Sequence, residues 1–392
     1  MTKIPMMKTS WPAVLLFLGA GIVAAFQVGK APIALPDIRT DFGAGLAAVA
    51  WVLSTFPMVG ALSGAAMGVM VTRIGAGIML PAGLGVIAAA SLAGGLAPAL
   101  PFLLVTRIVE GLGLLMVVIA APSLITQVTH GDDRAKAFGM WGCFMPAGMS
   151  LAMLAAPLLA GLGWRGLWLG MAALAAAYAV AVMVWRSPEP MAPREPAQPI
   201  LPDIAATLRA PGPRLLAAVF ACYTVAWAVL TGFLPTLLME RMGVSAGTAG
   251  MMTAAVAGAN IIGNLATGVV LAYGPQRWLM VALASGTIGL CSLGIFDPAT
   301  PGWAAFALSL LFSAAGGLLP ACVIGGAAQV APDRRLVPAA VGLVMQGSNL
   351  GLTLGPVAAA LVVEPWGWGA ARLVLVPAAL IGVLLAFRLR RL

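Results

Sequence analysis

Charge is what this chain has least of. Of its 392 residues only 8% are Asp, Glu, Lys or Arg, against about 25% in a soluble domain. A water-facing globular protein is therefore excluded. Histidine occurs once, and His130 sits in a polar turn beside Gly131-Asp132-Asp133-Arg134, where it reads as a solvated loop residue rather than a proton carrier. The four cysteines, Cys143, Cys222, Cys291 and Cys322, lie within apolar runs at no metal-ligand spacing. They read as small core residues, so neither a disulfide framework nor a metal centre is expected, and no cofactor. No H-E-x-x-H, G-x-S-x-G or paired-aspartate pattern falls within an apolar run, which argues against an enzyme.

What is present is hydrocarbon. The chain is 61% hydrophobic with a mean hydropathy of +1.04. A helix needs about 20 apolar residues to cross a bilayer core, so there is room for roughly a dozen spans. Breaks at Pro, Gly and charged residues divide the sequence into twelve, at about 12–35, 46–70, 77–98, 101–127, 137–161, 165–185, 214–238, 246–271, 277–296, 302–329, 338–363 and 368–388. The run from Trp11 to Leu35 is too long for a signal-peptide core, so it is expected to be an uncleaved first helix.

The net charge of +9 does not mark a nucleic-acid binder, because the basic residues sit at the ends of every second run and form no basic face. With the N-terminus inside, fifteen Lys and Arg residues fall on the cytoplasmic side. Only Arg39, Arg165, Arg241 and Arg372 fall outside. That asymmetry predicts cytoplasmic termini.

The longest polar stretch, 186–213, contains Ser187-Pro-Glu-Pro-Met-Ala-Pro-Arg-Glu-Pro and reads as a semi-rigid cytoplasmic linker. It divides the chain into six-helix halves, 1–185 and 214–392. The halves repeat one another. Gly43 precedes Gly243 by 200 residues, Asp133-Arg134 precedes Asp333-Arg334 by 200, and Leu35-Pro36 precedes Leu234-Pro235 by 199. Ala156-Pro157 precedes Gly355-Pro356 by 199 as well. Such duplication is a parallel repeat of the kind found in secondary transporters.

Over essentially its whole length the sequence resembles the major facilitator superfamily. Gly68-x-x-x-Thr72-Arg73-x-Gly75 is similar to that family's G-x-x-x-D-R-x-G-R-R loop, with Thr72 in place of the aspartate and Ala76-Gly77 in place of the basic pair. Arg73 is accordingly a gating or helix-capping candidate. Arg107-x-x-Glu110-Gly111-x-Gly113 is similar to the family's R-x-x-Q-G element, with glutamate for glutamine. Ala152-x-x-x-Ala156-Pro157 and Gly351-x-x-x-Gly355-Pro356 pair small residues four apart with a proline. The second is similar to the G-x-x-x-G-P element of the family's antiporters. Pro157, Gly351, Gly355 and Pro356 are expected to act in close helix packing and bending.

Three ionisable residues lie clearly inside spans: Lys30 in the first helix, Arg107 and Glu110 in the fourth. At about 1.5 Å per residue Lys30 and Arg107 share a level, roughly 8–9 Å from the outer end, with Glu110 roughly 14 Å deep. A charge at membrane depth is a functional-site hypothesis by default. The resemblance implies that helices 1, 4, 7 and 10 line a central cavity, so all three, with Gln27 one turn inward of Lys30, are expected to face a water-filled vestibule. Two structural alternatives stand beside this. Arg107 and Glu110 form a local ion pair, or Lys30 snorkels outward to Asp37.

The matching positions in the second half, Leu230, Ala307 and Leu310, are uncharged. That half offers Tyr223, Trp227, Asn260 and Asn264 instead. The first two are candidates for orienting a substrate's uncharged body, and the asparagines read as interhelical glue.

The resulting expectation is a monomeric all-α transporter of the bacterial inner membrane, with a lipid bilayer around it and two bundles rocking about a midplane site. The substrate is expected to be a small organic anion held by Lys30 and Arg107, with Glu110 carrying a coupling proton. The alternatives are a drug or metabolite efflux antiporter of the same fold, favoured by the 21 methionines, and a membrane sensor built on that fold.

Overall fold

The computed structural model describes residues 9–130, 133–185, 200–272, 276–333 and 336–390. Among these there is no strand. The spans are α1 (Trp11–Asp41), α2 (Leu46–Ile74), α3 (Ala76–Gly95), α4 (Leu100–Val128), α5 (Asp133–Gly142 and Phe144–Met153) and α6 (Leu159–Val184). The second set is α7 (Pro211–Met242), α8 (Ala246–Ala272), α9 (Arg277–Ile295), α10 (Gly302–Gly316 and Leu318–Val330), α11 (Val337–Trp366) and α12 (Arg372–Leu389). Among the described residues eleven helices are long and apolar enough to cross a bilayer, and up to twelve spans are reached if the α5 pair, bent by 42°, counts as one.

Residues 186–199 of the proline-rich stretch lie outside the described residues. Its remainder is not all linker: Ile200–Arg209 is helical and packs on α7 and α11, and α7 starts at Pro211 rather than near 214. No proline falls between Pro202 and Pro211, and a proline in the first turn of a helix, as at Pro202 and Pro211, removes only an N–H that has no partner there anyway.

The repeat is visible in the backbone. Gly43 and Gly243, which end the turns of α1 and α7, both have positive φ, at 58° and 64°. Gly163 (φ 64°, ψ 174°) kinks α6 within its first turns, and Gly367 (φ 73°, ψ 175°) breaks the chain shortly before α12. These are conformations that only glycine adopts readily.

Each of those breaks delivers a tryptophan to the rim opposite the chain termini. Trp164 Nε1 donates to Asp41 at 3.1 Å, joined by Arg165 at 2.8 Å, and so ties α6 to the end of α1. Trp368 Nε1 donates to Glu240 and ties the α12 entry to the end of α7.

The first six and last six helices meet through α2 with α11, α5 with α8, and α1 with α7. Close approaches lie toward the rim opposite the termini. A Cβ on Gly250 would sit 2.1 Å from that of Ala156, and one on Gly232 would sit 2.7 Å from Leu53. Ser150 donates to the Ala254 carbonyl at 2.8 Å. Glu364, at the end of α11, accepts from the backbone N–H groups of Leu46 and Ala47, at 3.1 Å each.

Candidate functional site

The charged residues of α1 and α4 meet. Lys30 Nζ lies 2.7 Å from Glu110 Oε1, and the other carboxylate oxygen accepts from Arg107. The three side chains are 0%, 0% and 1% exposed for Lys30, Glu110 and Arg107. They face protein on every side, so the water-filled vestibule expected from the sequence is not their surrounding in this conformation. Lys30 also does not snorkel to Asp37: its ammonium turns inward, where a carboxylate offsets the desolvation that an apolar exit would leave unopposed.

Glycine explains how the helices come close enough. A Cβ at Gly111 would lie 1.9 Å from the Phe56 carbonyl, so α4 rides directly on the α2 backbone one residue after Glu110. Gly113 does the same against Gly83 of α3, and Gly29 against Met149 of α5. The glycines in Arg107-x-x-Glu110-Gly111-x-Gly113 thus set the distance at which arginine and glutamate can reach their partners.

Each cation is held by several acceptors and an aromatic face. Lys30 donates to Glu110 and, at 2.6 Å, to Ser91 Oγ of α3, with the Trp168 ring 4.3 Å away. Ser91 passes its own proton to the Trp168 carbonyl at 3.0 Å. Carboxylate, hydroxyl and aromatic face together make a cage for an ammonium. Arg107 donates to the Gln27 carbonyl at 2.9 Å and the Val52 carbonyl at 3.0 Å, and lies over Phe56 at 4.4 Å. Five helices therefore hold three charges. With all three ionised the cluster carries +1, and the Gln27 amide nitrogen is buried without a partner among the described residues.

Sequence reasoning found the charges but not Ser91, Trp168 or Phe56. A serine or an aromatic residue in an apolar span is ordinary, and nothing in the local pattern says that α3 and α6 face α1 at this level.

In the second half, Tyr223 and Trp227 are buried at 6% and 7% exposure. The Tyr223 hydroxyl accepts from Asn260 at 3.0 Å, Asn260 also reaches the Ser313 carbonyl at 3.1 Å, and Asn264 donates to Asn260 at 2.8 Å. Asn260 binds helices together, as expected, joining α8 to α7 and α10, whereas Asn264 bonds to Asn260 within α8. Gly351 and Gly355 let α11 lie against α7: their Cβ atoms would be 2.2 Å from Thr224 Oγ1 and 2.7 Å from the Val225 carbonyl. Pro356 lies within α11, and Pro157 sits in the turn after α5, against Gly247. The Arg73 side chain lies outside the described residues. His130 departs from its expected setting: it is half-buried, and its backbone N–H donates to Thr9 at 3.1 Å.

The model of the Major Facilitator Superfamily matches residues 16–336 and 216–392. The chain belongs to the major facilitator superfamily. It is therefore a multi-pass membrane protein with the family and fold of a transporter. Two curated relatives are each 29% identical: an uncharacterised MFS-type transporter of Mycobacterium tuberculosis, over 163 residues, and a puromycin resistance protein of Streptomyces alboniger, over 159. Each match covers 40% of this chain, and 28% and 31% of those proteins. Among solved structures, a bacterial homologue of the human lysosomal transporter Spinster, inward-facing and occupied, has a TM-score of 0.77 at 16% identity, covering 96% of both chains. The same homologue in its unoccupied form has a TM-score of 0.72 at 17% identity, covering 97% of this chain and 96% of that one. At these identities the likeness is one of fold.

Proposed function

We propose that this superfamily member is a proton-coupled secondary transporter whose coupling centre is the Lys30–Glu110–Arg107 cluster, and that its solute is a small organic anion. One observation carries the reading: two cations share one carboxylate in a site closed to water, which leaves a surplus of +1. Charge at this depth is costly to keep without a use. Arrival of an anion relieves the surplus and offsets the charge the cluster gains when Glu110 is protonated, so anion and proton are taken up and released together, and a transporter that alternates between the loaded and empty cluster is coupled.

In this reading Lys30 and Arg107 are the charge partners of the anion once the cluster is hydrated, and Glu110 carries the proton. Gln27, Tyr223 and Trp227 orient the solute's uncharged part. The two halves, 1–185 and 214–392, rock about this level, with the 186–213 segment as their tether. The Lys and Arg asymmetry supports cytoplasmic termini, and the protein is read as a monomer of the bacterial inner membrane.

The test is uptake by proteoliposomes of labelled acids, bases and neutral dyes, with and without an imposed proton gradient. Lys30→Met is expected to abolish uptake of the transported acid. Glu110→Gln is expected to keep exchange and lose gradient-driven accumulation. Wild-type transport by Lys30→Met sinks the anion assignment, and unchanged accumulation by Glu110→Gln sinks the coupling role.

A second reading, efflux of drugs or metabolites, is favoured by the similarity to a puromycin resistance protein. Movement of cationic dyes alone in the same panel selects it.

A further inference from the structure

The two halves cap their second helices differently. In the second half, α8 starts with its own cap: Ser245 Oγ accepts from the Thr248 backbone N–H at 3.2 Å and pairs with the Thr248 hydroxyl at 3.0 Å. The matching residue in the first half, 200 positions earlier, is Gly45. Glycine has no side chain to cap with, so α2 would begin with free N–H groups. They are not free. The Glu364 carboxylate reaches over from α11 and takes the N–H groups of Leu46 and Ala47, one on each oxygen, at 3.1 Å. A Cβ at position 45 would stand 2.2 Å from Glu364 Oε1, so the missing side chain is also the space the carboxylate occupies.

We infer that Glu364 is a latch of the rim opposite the termini, and that α2 borrows its cap from the other half so that the cap exists only while this rim is closed. A carboxylate at a helix N-terminus also meets the positive end of the helix dipole, so the contact is favourable by charge as well as by hydrogen bonding. The seam around it is built of small residues in van der Waals contact, such as Gly250 on Ala156, together with the neutral bond from Ser150 to the Ala254 carbonyl, and these contacts part without leaving a charge unmet. The Glu364 contact is different in kind. When α2 and α11 separate, two N–H groups and a carboxylate lose their partners together, and α2 loses the side-chain cap it has among the described residues. The self-capped α8 loses nothing. The latch therefore weights the closed state of this rim specifically, whatever the charged cluster does further in.

Gly45→Ser separates latch from cap. Serine fits here because Gly45 is not among the glycines with positive φ. Its hydroxyl would cap α2 locally, as Ser245 caps α8, while its Cβ displaces the carboxylate. The experiment is a distance measurement by pulsed electron paramagnetic resonance on the full chain in nanodiscs, in a transport-competent background with Cys143, Cys222, Cys291 and Cys322 replaced. Spin labels go on cysteines at Ala99 and Ala299, which are exposed at equivalent turns of the two halves on this rim.

With Glu364 in place the short distance should dominate. In Glu364→Ala the long-distance population should grow roughly three- to tenfold, the range expected for losing one cap. In Gly45→Ser it should grow as much, while the thermal midpoint stays at the wild-type value because α2 remains capped. A wild-type distance distribution in Gly45→Ser overturns the latch and leaves an ordinary helix cap. A wild-type distribution in a folded Glu364→Ala overturns it too. If Glu364→Ala does not fold, Gly45→Ser carries the test alone.

Discussion

Where the first half buries Lys30, the second half buries Leu230; Ala307 and Leu310, 200 residues after Arg107 and Glu110, are exposed and half-buried, and the buried Ser309 and Phe312 take the counterpart place in α10 instead. Lys30 and Leu230 are both 0% exposed, on the equivalent helices α1 and α7. One fold position is therefore filled once by a lysine of an ion cluster and once by hydrocarbon, and both pack. The polar contacts that the second half does keep, Asn260 with Tyr223 and the Ser313 carbonyl, are neutral and saturate one another. The comparison separates what the fold needs from what the first half adds. Replacing a buried ion cluster with apolar residues is often neutral or stabilising, whereas removing one partner is strongly destabilising.

The comparison breaks most visibly at Glu110. Glu110→Ala strands two buried cations, and a loss of about 3–5 kcal/mol is expected, read as a large fall of the thermal midpoint in detergent. Replacing the whole cluster with apolar residues gives the contrasting result. The triple variant Lys30→Leu, Arg107→Ala, Glu110→Leu should recover to within about 2 kcal/mol of wild type or exceed it, with gradient-driven uptake gone. A triple variant as unstable as Glu110→Ala would mean that the cluster holds the fold after all.

In the second half, Asn260→Ala removes neutral contacts alone, and about 0.5–1.5 kcal/mol is expected from the same melting experiment. Trp368→Phe, which deletes the exposed bond to Glu240, should cost less than about 1 kcal/mol and leave uptake unchanged.

Much of the fold was open to reading from sequence because lipid imposes a simple rule: a span is a long apolar run, and a break is a charge, proline or glycine. The repeat was legible where it hangs on residues of fixed purpose, as at Gly43 and Gly243. It was hidden at Gly163 and Gly367, which are 204 apart rather than 200. The break in α10 between Gly316 and Leu318 was hidden too. Its cause is a neighbour, since a Cβ at Gly317 would sit 2.2 Å from the Asn260 carbonyl of α8.

The site was half legible. Its charged residues stand out from an apolar background, and their shared depth follows from helical rise. Their rotation does not follow, and rotation decides whether Lys30 meets water, Asp37 or Glu110. The cap on α2 was invisible for the same reason, because its two parts lie 318 residues apart.

The paired rim contacts of Trp164 with Asp41 and Trp368 with Glu240 have a mechanical meaning. Each buckles the last helix of a half to the first, turning six staves into a hoop. A hooped barrel resists splaying when it is pushed from one side, so a push delivered at one end of such a half arrives at the other as tilt rather than being lost in the spreading of its helices. Stiffness of that kind lets a small event, such as one proton leaving a buried carboxylate, be felt 20 Å or so away, about the length of a dozen helical residues.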